Sequence, residues 1–195
     1  MTQLVLGSTS PFRKALLEKF NVSFDCAKPN IDETALVNET PEQLVARLAE
    51  QKAIKVSDEF PRGLIIGSDQ VAICDGNILG KPHNFDNAVK QLTSFSGKTV
   101  TFLTGLCLYN AERKNSQVIV EPFYVSFREL SFAEISNYLN AEEPYNCAGS
   151  FKSEGLGICL FESLTGEDPN TLIGLPLIRL HQLLKNEGFD VLNHQ

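Results

Sequence analysis

The stretch Leu64-Ile65-Ile66-Gly67-Ser68-Asp69-Gln70-Val71 constrains the fold most. Three apolar residues run into a glycine, and a carboxylate follows at once. This pattern predicts a buried strand that delivers an acid to the edge of a sheet. In open α/β sheets, ligands collect just beyond strand ends. Gly80-Lys81-Pro82 places a cation one hairpin further on. A carboxylate can hold a metal or activate water, and a nearby lysine can hold phosphate. Asp after Gly-Ser is also ordinary turn chemistry, so a cap for the next turn is a second reading of Asp69.

The flanking chain alternates strands and helices. Leu4–Leu6 reads as a short strand. Ser10 is a good N-cap and Pro11 a good first residue for a helix to about Phe20. A hydroxyl-rich turn between strand and helix is suited to phosphate, because free amides and the helix dipole both favour an anion. Arg13 and Lys14 have the wrong sign for that dipole. Either an anion sits between them and the helix, or both are solvated. Val22–Ala27 reads as a strand, followed by an acidic loop with Asp32 and Glu33, each either a metal ligand or solvated. Thr40-Pro41-Glu42-Gln43 is a capping box opening a helix to about Phe60. Its buried face is Leu44, Val45, Leu48, Ala49 and Ala53. Lys52 lies near that face, pointing into a cleft or snorkelling to water.

Asp75-Gly76 between apolar runs predicts a hairpin of 71–74 with 77–79. Asn84 caps a helix to about Phe95. Residues 99–109 and 118–127 read as long strands joined by the loop 110–116, with Pro122 tolerated only at an edge or bulge. Ser131 and Glu134 form a second capping box for a helix to about Asn140. Gly157–Phe161 reads as a strand, 168–171 as a turn, and Pro176–Glu187 as a last helix stopped by Gly188. The sum is one α/β domain over 1–195 with a mixed sheet.

Composition narrows the function classes. The 195 residues are 43% hydrophobic with net charge -7. A broad nucleic-acid-binding face needs clustered Lys and Arg, so a polymer partner is not expected, while a small anion needs only a local basic pocket. No apolar run approaches the roughly 20 residues of a membrane span, and the N-terminus lacks the basic start and apolar stretch of a signal peptide. A cytoplasmic protein is expected. Five cysteines without a Cys-x-x-Cys argue against zinc or a disulfide framework and for buried thiols. A homodimer face would look the same in the sequence as a core face. The P-loop, the dinucleotide fingerprint and the serine-hydrolase elbow are absent. Carboxylates, scattered lysines and an anion-ready helix start remain, a set that suits metal-assisted attack of water on phosphate.

The motifs Ser8-Thr9-Ser10-Pro11-Phe12-Arg13-Lys14, Asp32-Glu33-Thr34, Lys52-Ala53, Ile66-Gly67-Ser68-Asp69, Gly80-Lys81-Pro82, Ala148-Gly149-Ser150-Phe151 and Gly174-Leu175-Pro176-Leu177 occur in this order. Together they resemble the Maf family of nucleoside triphosphate pyrophosphatases over essentially the whole chain. Gly67–Val71 and Ser150–Gly155 are most similar to its YceF type, a 7-methyl-GTP pyrophosphatase branch. The resemblance implies a mixed, strongly twisted sheet in two lobes with flanking helices and a central cleft, of the Maf and inosine triphosphatase-like kind. It implies hydrolysis of a nucleoside triphosphate to monophosphate and pyrophosphate with a divalent metal, Mg²⁺ or Mn²⁺. By position, Asp69 is the general base, and Glu33 shares the metal with Asp69. Ser8, Ser10, Arg13, Lys52 and Lys81 hold phosphate, and Phe12, Gln70 and Glu154 set specificity.

A purine methylated at N7 is cationic. An aromatic face such as Phe12 attracts it, and Glu154 would pair with it. Family members that take thymidine or uridine triphosphates often carry arginine where this chain has Phe12, and a cation there would repel the methylated base. The family opening often shows Arg-Arg, whereas Lys14 here lacks the bidentate fork. Two alternatives stand beside this reading. One is a pyrophosphatase for unmodified dTTP or UTP, and the other a non-catalytic nucleotide-binding regulator of cell division.

Overall fold

The computed structural model describes residues 3–193. Among them, thirteen helices and strands follow one another as β1 (Leu4–Leu6), α1 (Pro11–Glu18), β2 (Asp25–Cys26), α2 (Pro41–Ser57), β3 (Leu64–Cys74), β4 (Asn77–Leu79), α3 (Phe85–Phe95), β5 (Thr99–Asn110), β6 (Asn115–Phe127), α4 (Phe132–Glu142), β7 (Phe161–Thr165), α5 (Asn170–Ile173) and α6 (Leu177–Asn186). The strands form a mixed seven-stranded sheet in the order β2-β1-β3-β5-β6-β7, with β4 paired to β3. The described residues divide into two compact units. The first holds those up to Gln70, Thr104–Glu121 and those from Asp168 on, and the second holds Val71–Leu103 and Pro122–Glu167.

In the first unit β1 pairs in parallel with both β2 and β3. Successive side chains on a strand face opposite ways, and both faces here are covered. Leu4, Leu6, Leu64, Ile66, Leu106 and Leu108 pack with Leu16 and Leu17 of α1 and with Leu180, Leu183 and Leu184 of α6. Val5, Ile65 and Cys107 face the other way, onto Ala49, Ala53 and Val56 of α2. Burial on both faces explains the unbroken apolar runs of these strands. Each fully buried leucine or isoleucine is worth about 1.5–3 kcal/mol.

Helix α2 lies close against the sheet. A Cβ at Gly67 would collide with the Ala49 carbonyl oxygen, and one at Gly105 with that of Val45. Glycine at both positions lets the helix backbone approach. The capping box of Thr40 and Gln43 starts α2 as its sequence predicts.

In the second unit β3 and β4 form the expected hairpin, with Cys74 opposite Asn77. Asp75 and Gly76 both have positive φ, 49° and 78°, as a two-residue hairpin turn demands. A cluster of phenylalanines fills the core. Phe127 lies 5.3 Å from Phe95, 5.6 Å from Phe151 and 5.2 Å from Phe161 between ring centroids, mostly edge-on. The second capping box, Ser131 with Glu134, opens α4.

Several expected boundaries move. Strand β2 is two residues rather than six, because its partner β1 offers only Val5 and Leu6 for pairing. Strand β6 begins at Asn115, so the expected loop 110–116 shrinks to 111–114. Pro122 precedes the β6–β7 pairing, which starts at Tyr124 and shifts register at Ser126/Phe127. Its missing N–H therefore falls outside that ladder. Leu156–Leu160 forms a 3₁₀ turn, not a strand. Its buried residues are Gly157 and Leu160, three apart, which matches 3.0 residues per turn. The turn expected at 168–171 becomes the short helix α5, because Asp168 is buried and accepts from the N–H groups of Asn170 (2.8 Å) and Ile178 (2.8 Å). Helix α6 starts at Leu177 and ends before Gly188, which takes φ 78° as expected. Of the five cysteines only Cys74 and Cys107 are buried, fewer than the sequence suggests. Burial pushes the Cys107 thiol up to about 12.

Candidate active site

Asp69 does not stand at a strand end. Strand β3 continues to Cys74. The neighbour β1 ends instead: its last pair with β3 is Leu6 with Ile66. Ser68 and Asp69 therefore emerge beyond the carboxyl end of β1, where the chain turns through Gly7-Ser8-Thr9-Ser10 into α1.

That turn is built from its own hydroxyls. Ser8 is buried, and its Oγ accepts from the N–H of Ser10 (3.1 Å). Ser10 Oγ accepts from the N–H of Arg13 (3.4 Å) and caps α1, with Pro11 as the first helical residue. Arg13 and Lys14 separate here. Lys14 leans towards Glu18 (3.9 Å), both well exposed, so it needs no bound anion. Arg13 turns inward, and its Nε donates to the carbonyl of Gly174 (2.9 Å). Loss of water lowers the Arg13 pKa, while the negative charges of Asp69 and Glu33 oppose this.

Lys52 is buried on α2 and does not snorkel. Its Nζ donates to Asp69 Oδ1 at 2.7 Å and lies 3.1 Å from Glu33 Oε1. Asp69 is buried as well, whereas the Glu33 side chain is about half exposed. The close approach of α2 over Gly67 brings Lys52 onto the acid two residues further along β3. Asp69, Glu33, Lys52 and Arg13 thus form a four-charge cluster, two of each sign.

Gln70 is committed to the fold. Its amide donates to Thr104 Oγ1 (2.8 Å) and to the carbonyls of Thr171 (2.9 Å) and Leu172 (3.2 Å). Ser68 Oγ donates to the Gly174 carbonyl (2.8 Å). The residues on both sides of Asp69 are therefore fastened to the segment 171–174. Phe12 is 40% exposed beside Arg13, leaving its ring accessible. In the second unit Lys81 is exposed. Glu154 is also exposed and accepts from Ser153 Oγ (3.1 Å). Lys152 is spent on Glu142, donating to its carbonyl oxygen (2.9 Å).

Among the described residues no three His, Cys, Asp or Glu side chains cluster as a metal cage. Mg²⁺ characteristically takes one or two carboxylates and completes its shell with water and substrate phosphates. Asp69 and Glu33, both against one lysine ammonium, offer such a pair. The donor set fits a divalent cation whose remaining ligands are water and, when bound, substrate phosphates.

Sequence reasoning missed Ser68, Gly174 and Arg47 as parts of this site. Gly174-Leu175-Pro176-Leu177 is visible as a motif, but the use of a carbonyl leaves no mark in a sequence. Arg47, five residues before Lys52 on α2, holds the loop that carries Glu33. Its Nε and Nη2 donate to Glu39 at 2.5 and 2.8 Å, and Nη2 also to the carbonyl of Thr34 at 3.1 Å.

This clamp has a pH signature. Arg47 and the N–H of Leu36 hold the Glu39 carboxyl down to about 2, from an ordinary 4.5. A depressed folded pKa contributes stability that is full above the unfolded value and lost as pH falls through the folded one. Between pH 4.5 and 2, the thermal midpoint of the wild type is expected to fall more steeply than that of Glu39→Gln. Equal slopes in calorimetric scans would remove the pair from the acid response.

A buried carboxylate among cations at a helix start, beside a parallel strand pair, defines an α/β protein built to handle a phosphorylated anion. The fold is shared with the solved structure of the Staphylococcus aureus Ham1 protein, at TM-score 0.54 and 12% identity, over 95% of this chain and 100% of that one. The Maf-like protein family matches residues 3–187, and the chain belongs to that family. It is 66% identical over 195 residues to the 7-methyl-GTP pyrophosphatase of Colwellia psychrerythraea, covering 100% of this chain and 98% of the relative. A protein of the same name from Pseudoalteromonas translucida is 63% identical over 98% of this chain and 95% of its own length. The one from Idiomarina loihiensis is 56% identical over 97% of each chain.

Proposed function

We propose that this chain hydrolyses 7-methyl-GTP to 7-methyl-GMP and pyrophosphate, with Mg²⁺ or Mn²⁺. The observation that carries the reading is Asp69, buried and held at 2.7 Å by Lys52 beside a capped helix start. The names of the full-length relatives support the substrate.

Lys52 occupies Asp69 Oδ1 and leaves Oδ2 for a water molecule. Asp69 takes the proton of that water as its oxygen bonds to the α-phosphorus. The bond from that phosphorus to the bridging oxygen breaks, and pyrophosphate leaves. Arg13, Lys52 and the Ser8–Ser10 turn carry the phosphate charge that develops, and Lys81 is assigned the same task by its motif. Glu33 would hold the metal, with Asp69 sharing it or its water shell, and the chemistry the metal supplies when bound is to neutralise the phosphates and polarise the reacting oxygen. Phe12 attracts the cationic base, Glu154 pairs with it, and Gln70 is the third specificity position, acting through the strand it fixes beside Asp69.

Pyrophosphate release with Mg²⁺ or Mn²⁺, compared across 7-methyl-GTP, GTP, dTTP and UTP, tests the proposal. The methylated substrate is expected to lead, and a chelator to abolish turnover. Glu154→Ala is expected to lower kcat/KM for 7-methyl-GTP about tenfold or more with little change for GTP. An equal change on both would remove Glu154 from specificity. Turnover led by an unmodified nucleotide would keep the chemistry and reject the substrate. Binding without release under either metal would favour a regulator.

A further inference from the structure

Glu33 sits on the segment 31–39, which is poorly anchored by apolar contact. Leu36 is 60% exposed and Val37 92%. A cavity of about 500 Å³ is lined by Ile31, Leu36 and Thr34 from this segment and by Arg47, Gln51 and Ile54 from α2. Polar tethers hold the segment instead. Asp32 Oδ1 accepts from the N–H (2.9 Å) and hydroxyl (2.7 Å) of Thr34, closing a local turn. Glu39 Oε2 accepts from the N–H of Leu36 (2.9 Å), closing a second. These bonds shape the segment but do not attach it to a helix.

Beside the Lys52–Glu33 ion pair, Arg47 makes the attachment. It grips Glu39 with two N–H groups and the Thr34 carbonyl with one, while its Nη1 donates to Gln51 on the same helix (3.0 Å). The planar guanidinium is thereby fixed on α2 and spans both ends of the turn. Thr34 is the residue after Glu33, and Lys52 is on the helix that carries Arg47. One rigid helix therefore both fixes the backbone beside Glu33 and supplies the ammonium that its carboxylate meets.

We propose that Arg47 is a positioning residue for the metal site: it docks the 31–39 segment on α2 so that Glu33 is held ready beside Lys52 and Asp69. The inference rests on the proposed role of Glu33 in holding the divalent metal. Arg47 itself touches neither metal nor substrate. Partners that orient ligands in this way typically change metal affinity by about 10–100-fold.

The test uses Mn²⁺ alone, titrated into the nucleotide-free protein and followed by the electron paramagnetic resonance of free Mn²⁺. Amide hydrogen exchange over 31–39 is measured in parallel. Arg47→Ala is expected to weaken Mn²⁺ binding about tenfold and to raise exchange in 31–39, while α2 and β3 stay protected. Arg47→Lys keeps the charge without the fork and is expected to restore little. Glu39→Gln, which leaves the helix untouched, is expected to move both readings the same way. The double variant Arg47→Ala/Glu33→Gln is expected to bind no more weakly than Glu33→Gln alone. Loosened exchange with unchanged Mn²⁺ affinity would overturn the inference, as would additive losses in the double variant. If Glu33→Gln leaves Mn²⁺ affinity unchanged, the metal role of Glu33 falls, and this inference with it. Lost affinity in Glu33→Gln with none in Arg47→Ala would reject Arg47 alone.

Discussion

Asp69→Asn is expected to lower turnover of 7-methyl-GTP by about 10²–10⁴-fold, the range a positioned general base supplies. The substitution keeps shape and hydrogen bonding almost unchanged. The amide oxygen can still accept from Lys52 Nζ, which stands 2.7 Å from Oδ1 in the wild type. Lys52 also keeps Glu33 at 3.1 Å as a counter-charge. The buried ammonium is therefore not stranded, and the 3–5 kcal/mol cost of breaking a buried pair outright is largely avoided. Circular dichroism and a melting curve close to wild type, with turnover lost, would match the base role. Substrate affinity should survive, because Arg13 and the Ser8–Ser10 turn are unaltered. Turnover within about threefold of wild type would remove Asp69 from proton transfer, since general-base catalysis is worth far more than that.

Gly67→Ala is expected to give a large loss of stability. The added Cβ would meet the Ala49 carbonyl oxygen and approach Ala53 Cβ and N at 3.0 Å each. The obstacle is mostly helix backbone, which cannot swing aside as a side chain does. Helix α2 must lift from the sheet, disturbing its contacts with Val5, Ile65 and Cys107. Overpacking of this kind costs about 1–3 kcal/mol and occasionally more, which corresponds to roughly 2–12 °C in melting temperature for a chain of this length. The same shift moves Lys52 relative to Asp69, so activity at low temperature should fall along with stability. Gly76→Ala, where a Cβ meets nothing but φ is 78°, separates crowding from backbone strain. A Gly67→Ala protein that melts at the wild-type temperature would contradict the close packing of α2 on β3.

Local rules along the chain set much of the architecture. The two capping boxes placed the starts of α2 and α4, because a cap is made within four residues. Asp75-Gly76 placed the β3–β4 hairpin, because positive φ at both positions is a local steric matter. The motif order pointed to Asp69, Lys52, Arg13 and the helix start, although no spacing along the chain says that Lys52 meets Asp69. The mistaken boundaries have non-local causes. The length of β2 depends on how much of β1 it can pair with, and Leu156–Leu160 follows burial at Gly157 and Leu160 rather than its apolar composition. Tertiary structure alone decided that Asp69 lies beyond the end of β1 and not of β3. It also committed Gln70 and Ser68 to the 171–174 backbone, and it drew Lys52 inward because two glycines let α2 approach the sheet. A carbonyl used as an acceptor and a helix–sheet distance are properties of the assembled backbone, so the residue types alone do not carry them.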